Sequence, residues 1–443
     1  MNACQRCALL LLALLVIWPA TAGTNATVAA DTPSVESSTR PFRLFQTTRW
    51  YPMRPPAGAI VDNLTLIVFL AVPCLTVVAL RYFFRRTKAT GRPVGWGRLV
   101  AGNALVLLLL LSTLLLLGEV WFRFFVDTTD SLGFTKISER WVARHWQSNI
   151  AGPRDNIEYA PGIKAGKRRV TFVGDSFTAG HGIKNVEDRF ANRLRALHPD
   201  WEVHLLANVG LDTGTEIRLI NKALARGYEL DEVVLVYCLN DVCDLLMASG
   251  QPFEGKLPAL ERTAPWFIRG SYFLDLFYNR YKAGQNPFVK DYFGFVKEGY
   301  HGDYWNAQQQ RFKEMQALVQ SHGGHLSVVT FPFLHSLGPQ YDFGFVHDEL
   351  NAFWREQQVP HLDLLPFYAG FTSGELTVNA HDAHPNERAS QMAADAINHV
   401  LWPAFTNRVE INPDTADTEN ENRVRFDLEK WRAWRDSNPR PSA

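Results

Sequence analysis

Residues Val170–Ile183 read VTFVGDSFTAGHGI. A β-branched and aromatic run, Val170 to Val173, stops at Gly174; an acid, a serine and small residues follow. The run is that of a short buried strand, and the polar pair after it is that of a helix start. A serine at such a turn is either a helix cap or a nucleophile, and these fourteen residues alone fit both.

Outward from this stretch, strand and helix patterns alternate. RRVTFVG (168–174) is the first strand. NVEDRFANRLRALH (185–198) has helical spacing through Phe190, Leu194 and Leu197, with Asn185 placed as N-cap and Asp188 three residues on. WEVHLLANVG is a second strand, GTEIRLINKALARG a second helix stopping at Gly227, and DEVVLVYCLND a third strand, apolar almost throughout. The rhythm resumes with NAQQQRFKEMQALVQSHGG (helix), HLSVVTFPF (strand), VHDELNAFWREQQ (helix), VPHLDLLPF (strand) and NERASQMAADAINHVLWPAF (helix). Five strands alternating with helices predict a parallel sheet covered on both faces. In such a sheet chemistry collects at the carboxyl ends of the strands. An aromatic-rich insertion, residues 244–305, is too long for an ordinary connection and reads as a lid, a binding surface or a structural cap. The polar tail 406–443 loses the alternation.

The strand ends supply Gly174-Asp175-Ser176, then Asn208-Val209-Gly210, then Leu239-Asn240-Asp241; His381-Asp382-Ala383-His384-Pro385-Asn386 precedes the last helix. Each tripeptide is common by chance. Together they set a hydroxyl, a backbone donor, a carboxamide, a carboxylate and an imidazole on one rim. Acyl transfer needs that set: a serine, a base within reach of it, an acid orienting the base, and donors for the oxyanion. Ser176 is the expected nucleophile, His384 the base and Asp382 its orienter. The oxyanion donors are expected from the Ser176 and Gly210 backbone N–H groups and the Asn240 amide. Glycine at 210 is expected because a side chain would obstruct close approach. His181 is read as a structural loop histidine that could line the pocket, and His335, His347 and His361 receive no catalytic role.

On these residues the domain, roughly 168–405, resembles the GDSL/SGNH hydrolase superfamily. Its Ser block resembles FVGDSFTAG, its Gly block NVG, its Asn block LND and its His block HDAHPN. The part before it resembles bacterial members tethered behind membrane helices, in which a segment like W…SNIAGPRD (146–155) precedes the Ser block. The resemblance implies a flavodoxin-like three-layer α/β/α sandwich and an esterase, lipase, carbohydrate deacetylase or polysaccharide O-acetyltransferase activity. Two departures stand out. Cys238 occupies the usual glycine of the Asn block, and the acid of the His block, Asp382, lies two residues before His384 instead of three. The shorter spacing leaves open a Ser–His dyad with a backbone carbonyl orienting His384.

Before the domain lie three apolar segments. Residues 1–22 carry Arg6, a leucine-rich stretch and Ala20-Thr21-Ala22, a signal-peptide pattern with an uncleaved anchor as its alternative. Residues 64–84 and 99–122 are read as transmembrane helices without internal charge, since about 20 apolar residues cross the hydrocarbon. Pro73 is tolerable inside the first. The loop 85–98 and its edges hold Arg81, Arg85, Arg86, Lys88, Arg92 and Arg98 and no acid, which sets it on the cytoplasmic side. Segment 23–63 and everything after the second span, beginning with a connector at 123–167, are then extracytoplasmic.

Lys plus Arg and Asp plus Glu both number 45 in 443 residues, and this balance argues against a nucleic-acid binder. Of five cysteines only Cys238 and Cys243 fall in the outer domain; they pair or stay as free buried thiols, and no zinc-site spacing occurs. No cofactor is expected. The partners expected are the bilayer, as in the bacterial inner membrane, and an acyl ester or glycan substrate. The leading expectation is an anchored serine esterase or deacetylase; an O-acyltransferase acting on an envelope polysaccharide and a non-catalytic glycan-binding domain are its alternatives.

Overall fold

The computed structural model describes residues 42–45, 59–89, 95–248 and 264–406. Of two compact units, Met1–Arg40 and Pro41–Ala443, all these residues belong to the second. The expected signal peptide, most of 23–63, loop residues 90–94, insertion residues 249–263 and the tail from 407 onward lie outside the described residues.

Among the described residues, two long helices come first, α1 (Ala59–Ala89) and α2 (Trp96–Phe124), which enclose the expected spans 64–84 and 99–122. Both are long and apolar enough to cross a membrane. Neither expected span is charge-free as read: Arg81 falls inside the first, and Glu119 inside the second, fully buried and paired with Arg123 at 2.7 Å. A connector containing α3 (Lys136–His145) leads to the sheet.

The sheet holds β1 (Arg168–Gly174), β2 (Trp201–Ala207), β3 (Glu232–Cys238), β4 (His325–Phe331) and β5 (His361–Asp363), all parallel, in the order β2-β1-β3-β4-β5. Between them run α4 (Ser176–Ala179), α5 (Phe190–Leu197), α6 (Thr213–Leu224), α7 (Tyr272–Gln285), α8 (Gly302–Ser321) and α9 (Gly344–Glu356), and α10 (Glu387–Ala396) follows. The expected five-stranded α/β sheet is therefore present. From β1 the chain steps to β2 on one side and then back across to β3 on the other. Right-handed crossovers convert that reversal into helices on opposite faces: α5 packs with α10, and α6 with α8. β2 and β3 are buried along all seven residues each, which explains why DEVVLVYC shows no alternation. Each large apolar side chain so buried contributes roughly 1.5–3 kcal/mol.

Three local readings need correction. The predicted 185–198 helix is interrupted at Arg189, whose ψ of 142° is extended; a 3-10 turn precedes it and Asn185 makes no side-chain cap. The last helix does not run regularly to its end: α10 passes into a π-helical turn, Ile397–Leu401. The His block lies on a small antiparallel ribbon of β6 (Thr377–Asn379) and β7 (Asp382–Pro385), which the strand–helix alternation did not reveal.

The described part of the insertion is helical and docks on the apolar pair. Glu119 accepts from Ser271 Oγ (2.6 Å) and from the Tyr272 and Phe273 N–H groups (3.2 and 3.0 Å). It therefore occupies the positive N-terminus of α7. Arg123 donates to the Gly270 carbonyl at 2.9 Å.

Candidate active site

Ser176 follows β1 at the point where the chain parts to β2 on one side and β3 on the other, the crevice position of a doubly wound sheet. Glycine is obligatory at 174, because a Cβ there would lie 2.2 Å from Thr178 Oγ1 and 2.8 Å from the Val236 carbonyl. Asp175 caps α4 by accepting from the Phe177 N–H at 2.8 Å. Burial raises the Asp175 pKa to about 7, the hydrogen bonds opposing it. Arg154, from the SNIAGPRD segment, is buried and donates to the carbonyls of Gly180 (2.5 Å), Ile183 (2.6 Å) and Lys184 (3.2 Å). It therefore fixes the loop that leaves the serine.

On the opposite side, β7 carries both Asp382 and His384. Alternate residues of a strand share a face, so a spacing of two, within a strand, aims both side chains the same way. His384 Nε2 lies 2.8 Å from Ser176 Oγ, and His384 Nδ1 lies 2.5 Å from Asp382 Oδ1. The geometry suits a serine hydroxyl donating to an imidazole whose other nitrogen donates to a carboxylate. A side-chain carboxylate, not a carbonyl, orients the ring, in contrast to the dyad alternative. Asn386 caps α10 just beyond, accepting from the Arg388 and Ala389 N–H groups at 3.0 Å.

The charges of this line follow from its burial. Burial pushes the His384 pKa below the ordinary imidazole value, and Asp382 only partly offsets this. The ring is thereby neutral and able to accept a proton near pH 7. For Asp382 burial acts upward, but His384 and His181 outweigh it and hold the carboxyl well below the usual range.

Two further residues touch Asp382: His181, read from the sequence as a structural histidine that could line the pocket, and Thr129, which was not anticipated. His181 Nε2 lies 3.3 Å from Asp382 Oδ2, and its ring centre is 4.3 Å from that of His384. Its backbone N–H bonds the Ser176 carbonyl at 3.0 Å, which closes the turn after the serine. The connector supplies Thr129, whose hydroxyl donates to Asp382 Oδ2. His181 was visible in sequence only as a histidine five residues past the serine; nothing in the sequence marks Thr129.

Gly210 and Asn240 lie just past β2 and β3, the two neighbours of β1, and so flank the Ser176 turn. The reason for glycine differs from the one expected. Its φ is +72°, whereas a Cβ would meet nothing within 4 Å. The left-handed backbone, not crowding, selects it. The half-exposed Asn240 carboxamide has no hydrogen-bond partner among the described residues. Next to it Asp241 is fully buried; its Oδ2 accepts from the Cys238 N–H at 3.1 Å and its Oδ1 has no partner. Glu216 is buried with neither oxygen partnered. Burial, followed by repulsion from neighbouring acids (Asp175 first for Glu216, Glu216 first for Asp241), raises both well above the carboxylate range. Cys238 and Cys243 are free and buried.

Among the described residues, two clusters have ligand atoms close enough to hold a metal. His181, Asp382 and His384 form one, with its atoms already engaged in the serine line. Asp231, Glu232 and His325 form the other at the far end of the strands, where Arg168 bonds both acids at 2.8 and 2.9 Å. His347 and His361 serve packing: the first bonds Asp363 at 2.8 Å and the second Thr330 at 2.8 Å.

No protein-family model and no curated protein matches this chain. Among solved structures, it is similar to a lipolytic protein of the G-D-S-L family from Veillonella parvula, with 14% identity and a TM-score of 0.33 over 53% of this chain and 98% of that one. It is also similar to an extracellular lipase from Streptomyces rimosus, with 15% identity and a TM-score of 0.32 over 52% of this chain and 98% of that one.

Proposed function

We propose that this chain is a membrane-anchored, extracytoplasmic serine hydrolase of the GDSL/SGNH type that cleaves acyl esters through an acyl-serine. The observation carrying this reading is the continuous Ser176–His384–Asp382 line, 2.8 Å and 2.5 Å across its two contacts. Neutral His384 takes the Ser176 proton as Oγ attacks the ester carbonyl. The carbonyl electrons move onto oxygen, where the Ser176 and Gly210 N–H groups and the Asn240 amide donate. Collapse expels the alcohol, which receives the proton from His384. A water then repeats the cycle on the acyl-serine and releases the acid.

Two apolar helices of sufficient length support anchoring. Exposed aromatics near the end of α2 and on the docked insertion, Trp121, Phe125, Trp266, Phe267, Phe277 and Tyr281, have the composition of a membrane–water boundary. The acid-free basic loop supports an outside location for the domain.

A fluorophosphonate probe tests the reaction. Wild-type protein should label and Ser176→Ala should not; an unlabelled, folded wild type would remove the nucleophile. Incubating an acetyl ester with and without a polysaccharide acceptor then identifies the acceptor. Free acetate supports the hydrolase, and acetylated polysaccharide as main product replaces it with a transferase. A reporter active only outside the cytoplasm, fused after Asn407, should be active.

A further inference from the structure

Asp382 must present one particular oxygen to His384, and a carboxylate about its terminal torsion has only a broad, weak preference. The protein settles the matter from outside the α/β domain. Oδ1 accepts from His384 Nδ1 (2.5 Å) and from the His384 N–H (3.1 Å). Oδ2 accepts from the Thr129 hydroxyl and faces His181 Nε2 at 3.3 Å. Thr129 and Asp382 are both buried, at 4% and 1% exposure, so no water competes freely for that oxygen. We propose that Thr129 is a positioning residue for the Asp382–His384 pair, so that the segment leaving the second apolar helix is a working part of the site. This rests on the reading of Ser176 as nucleophile.

The contact is not isolated. Asn379 Nδ2 donates to Thr128 Oγ1 (2.8 Å) and to the Thr129 carbonyl (3.0 Å). The Ser131 N–H donates to the His381 carbonyl (3.0 Å), and the Ala383 N–H donates to Ser131 Oγ (2.8 Å). The connector thus lies along the ribbon that bears the acid and the base, and bonds it on both sides of Asp382. Thr129 stands only five residues beyond Phe124, the end of α2. Fully extended chain covers at most ~18 Å over that interval. The catalytic carboxylate is therefore tethered close to the end of an apolar helix. A β-branched residue suits the post, because its stiff χ1 holds the hydroxyl in one direction.

The test uses the purified full-length chain and a short water-soluble acetyl ester. Thr129→Val keeps the shape and removes the donor. It should lower kcat about 10-fold with KM within twofold, the size expected when a reacting group is slightly misaligned. Thr129→Ser should restore most of the loss. Ser131→Ala, which loosens the ribbon without touching the carboxylate, should cost less than threefold. Wild-type kcat in Thr129→Val, no rescue by serine, or equal losses in the Val and Ser131 variants would each overturn the proposal. A second readout does not depend on turnover: the downfield proton resonance of His384 Nδ1–H, assigned by its loss in His384→Ala. It should broaden or shift in Thr129→Val and return in Thr129→Ser; an unchanged resonance counts against positioning. Absent fluorophosphonate labelling of wild type would instead defeat the nucleophile reading and leave this resonance to decide on Thr129.

Discussion

The two sides of the Ser176 crevice are built differently. On the relay side every polar atom is engaged: Asp382 uses both oxygens, His384 both nitrogens, and the serine hydroxyl meets the ring. On the oxyanion side Gly210 is exposed and the Asn240 carboxamide has no partner among the described residues. A buried network is costly when incomplete, so the protein completes it internally. Donors meant for a transient charge must instead stay unspent until that charge appears. Under the proposed reaction, the contrast is between a set of groups held by the fold and a set reserved for the substrate.

Substitutions should separate the two sides. Ser176→Ala, which removes the group both sides serve, should eliminate probe labelling and leave ester hydrolysis at background. Asp382→Asn keeps the shape but disturbs the ring's tautomer, and kcat should fall on the order of 10³–10⁴. Asn240→Ala should lower kcat by about 10²–10³ with a smaller change in KM, because its amide is called on mainly as charge develops. If Asn240→Ala raised KM alone, the idea of reserved donors would be wrong. The wild-type kcat/KM profile should keep its acid limb below the ordinary imidazole pKa, since burial lowers that of His384.

The smallest effect concerns stability. Glu216 is buried without partners and its pKa is raised well above normal, by burial first and then by neighbouring acids. The folded state therefore holds a proton that the unfolded chain releases. That contribution is complete below the unfolded-state pKa and is lost as pH rises toward the folded one. Glu216→Gln should raise the melting temperature by roughly 2 °C at pH 8 and by less at pH 4. A larger gain at pH 4 would contradict a protonated Glu216.

The parts legible in the sequence were those set by local pattern. Continuous apolar runs such as Val233–Tyr237 announce a strand covered on both faces, and the alternation with helices makes the sheet parallel. Ser176 and His384 stand out because strand ends are where such a sheet gathers its chemistry. Asp382 was harder, since its spacing from His384 has meaning only once both are known to lie on an extended strand. Thr129 could not be found at all: it meets Asp382 across 253 residues and belongs to no motif. The glycine at 210 was given a steric reason, when its backbone angle is the cause.

Glu119 has a consequence in time. During synthesis it leaves the ribosome inside an apolar helix, while the Ser271 hydroxyl it will bond lies 152 residues downstream. Arg123, one turn away on the same helix, is its near partner in sequence. The buried surroundings of Glu119 are therefore completed only once the insertion has been made and docks on the second helix.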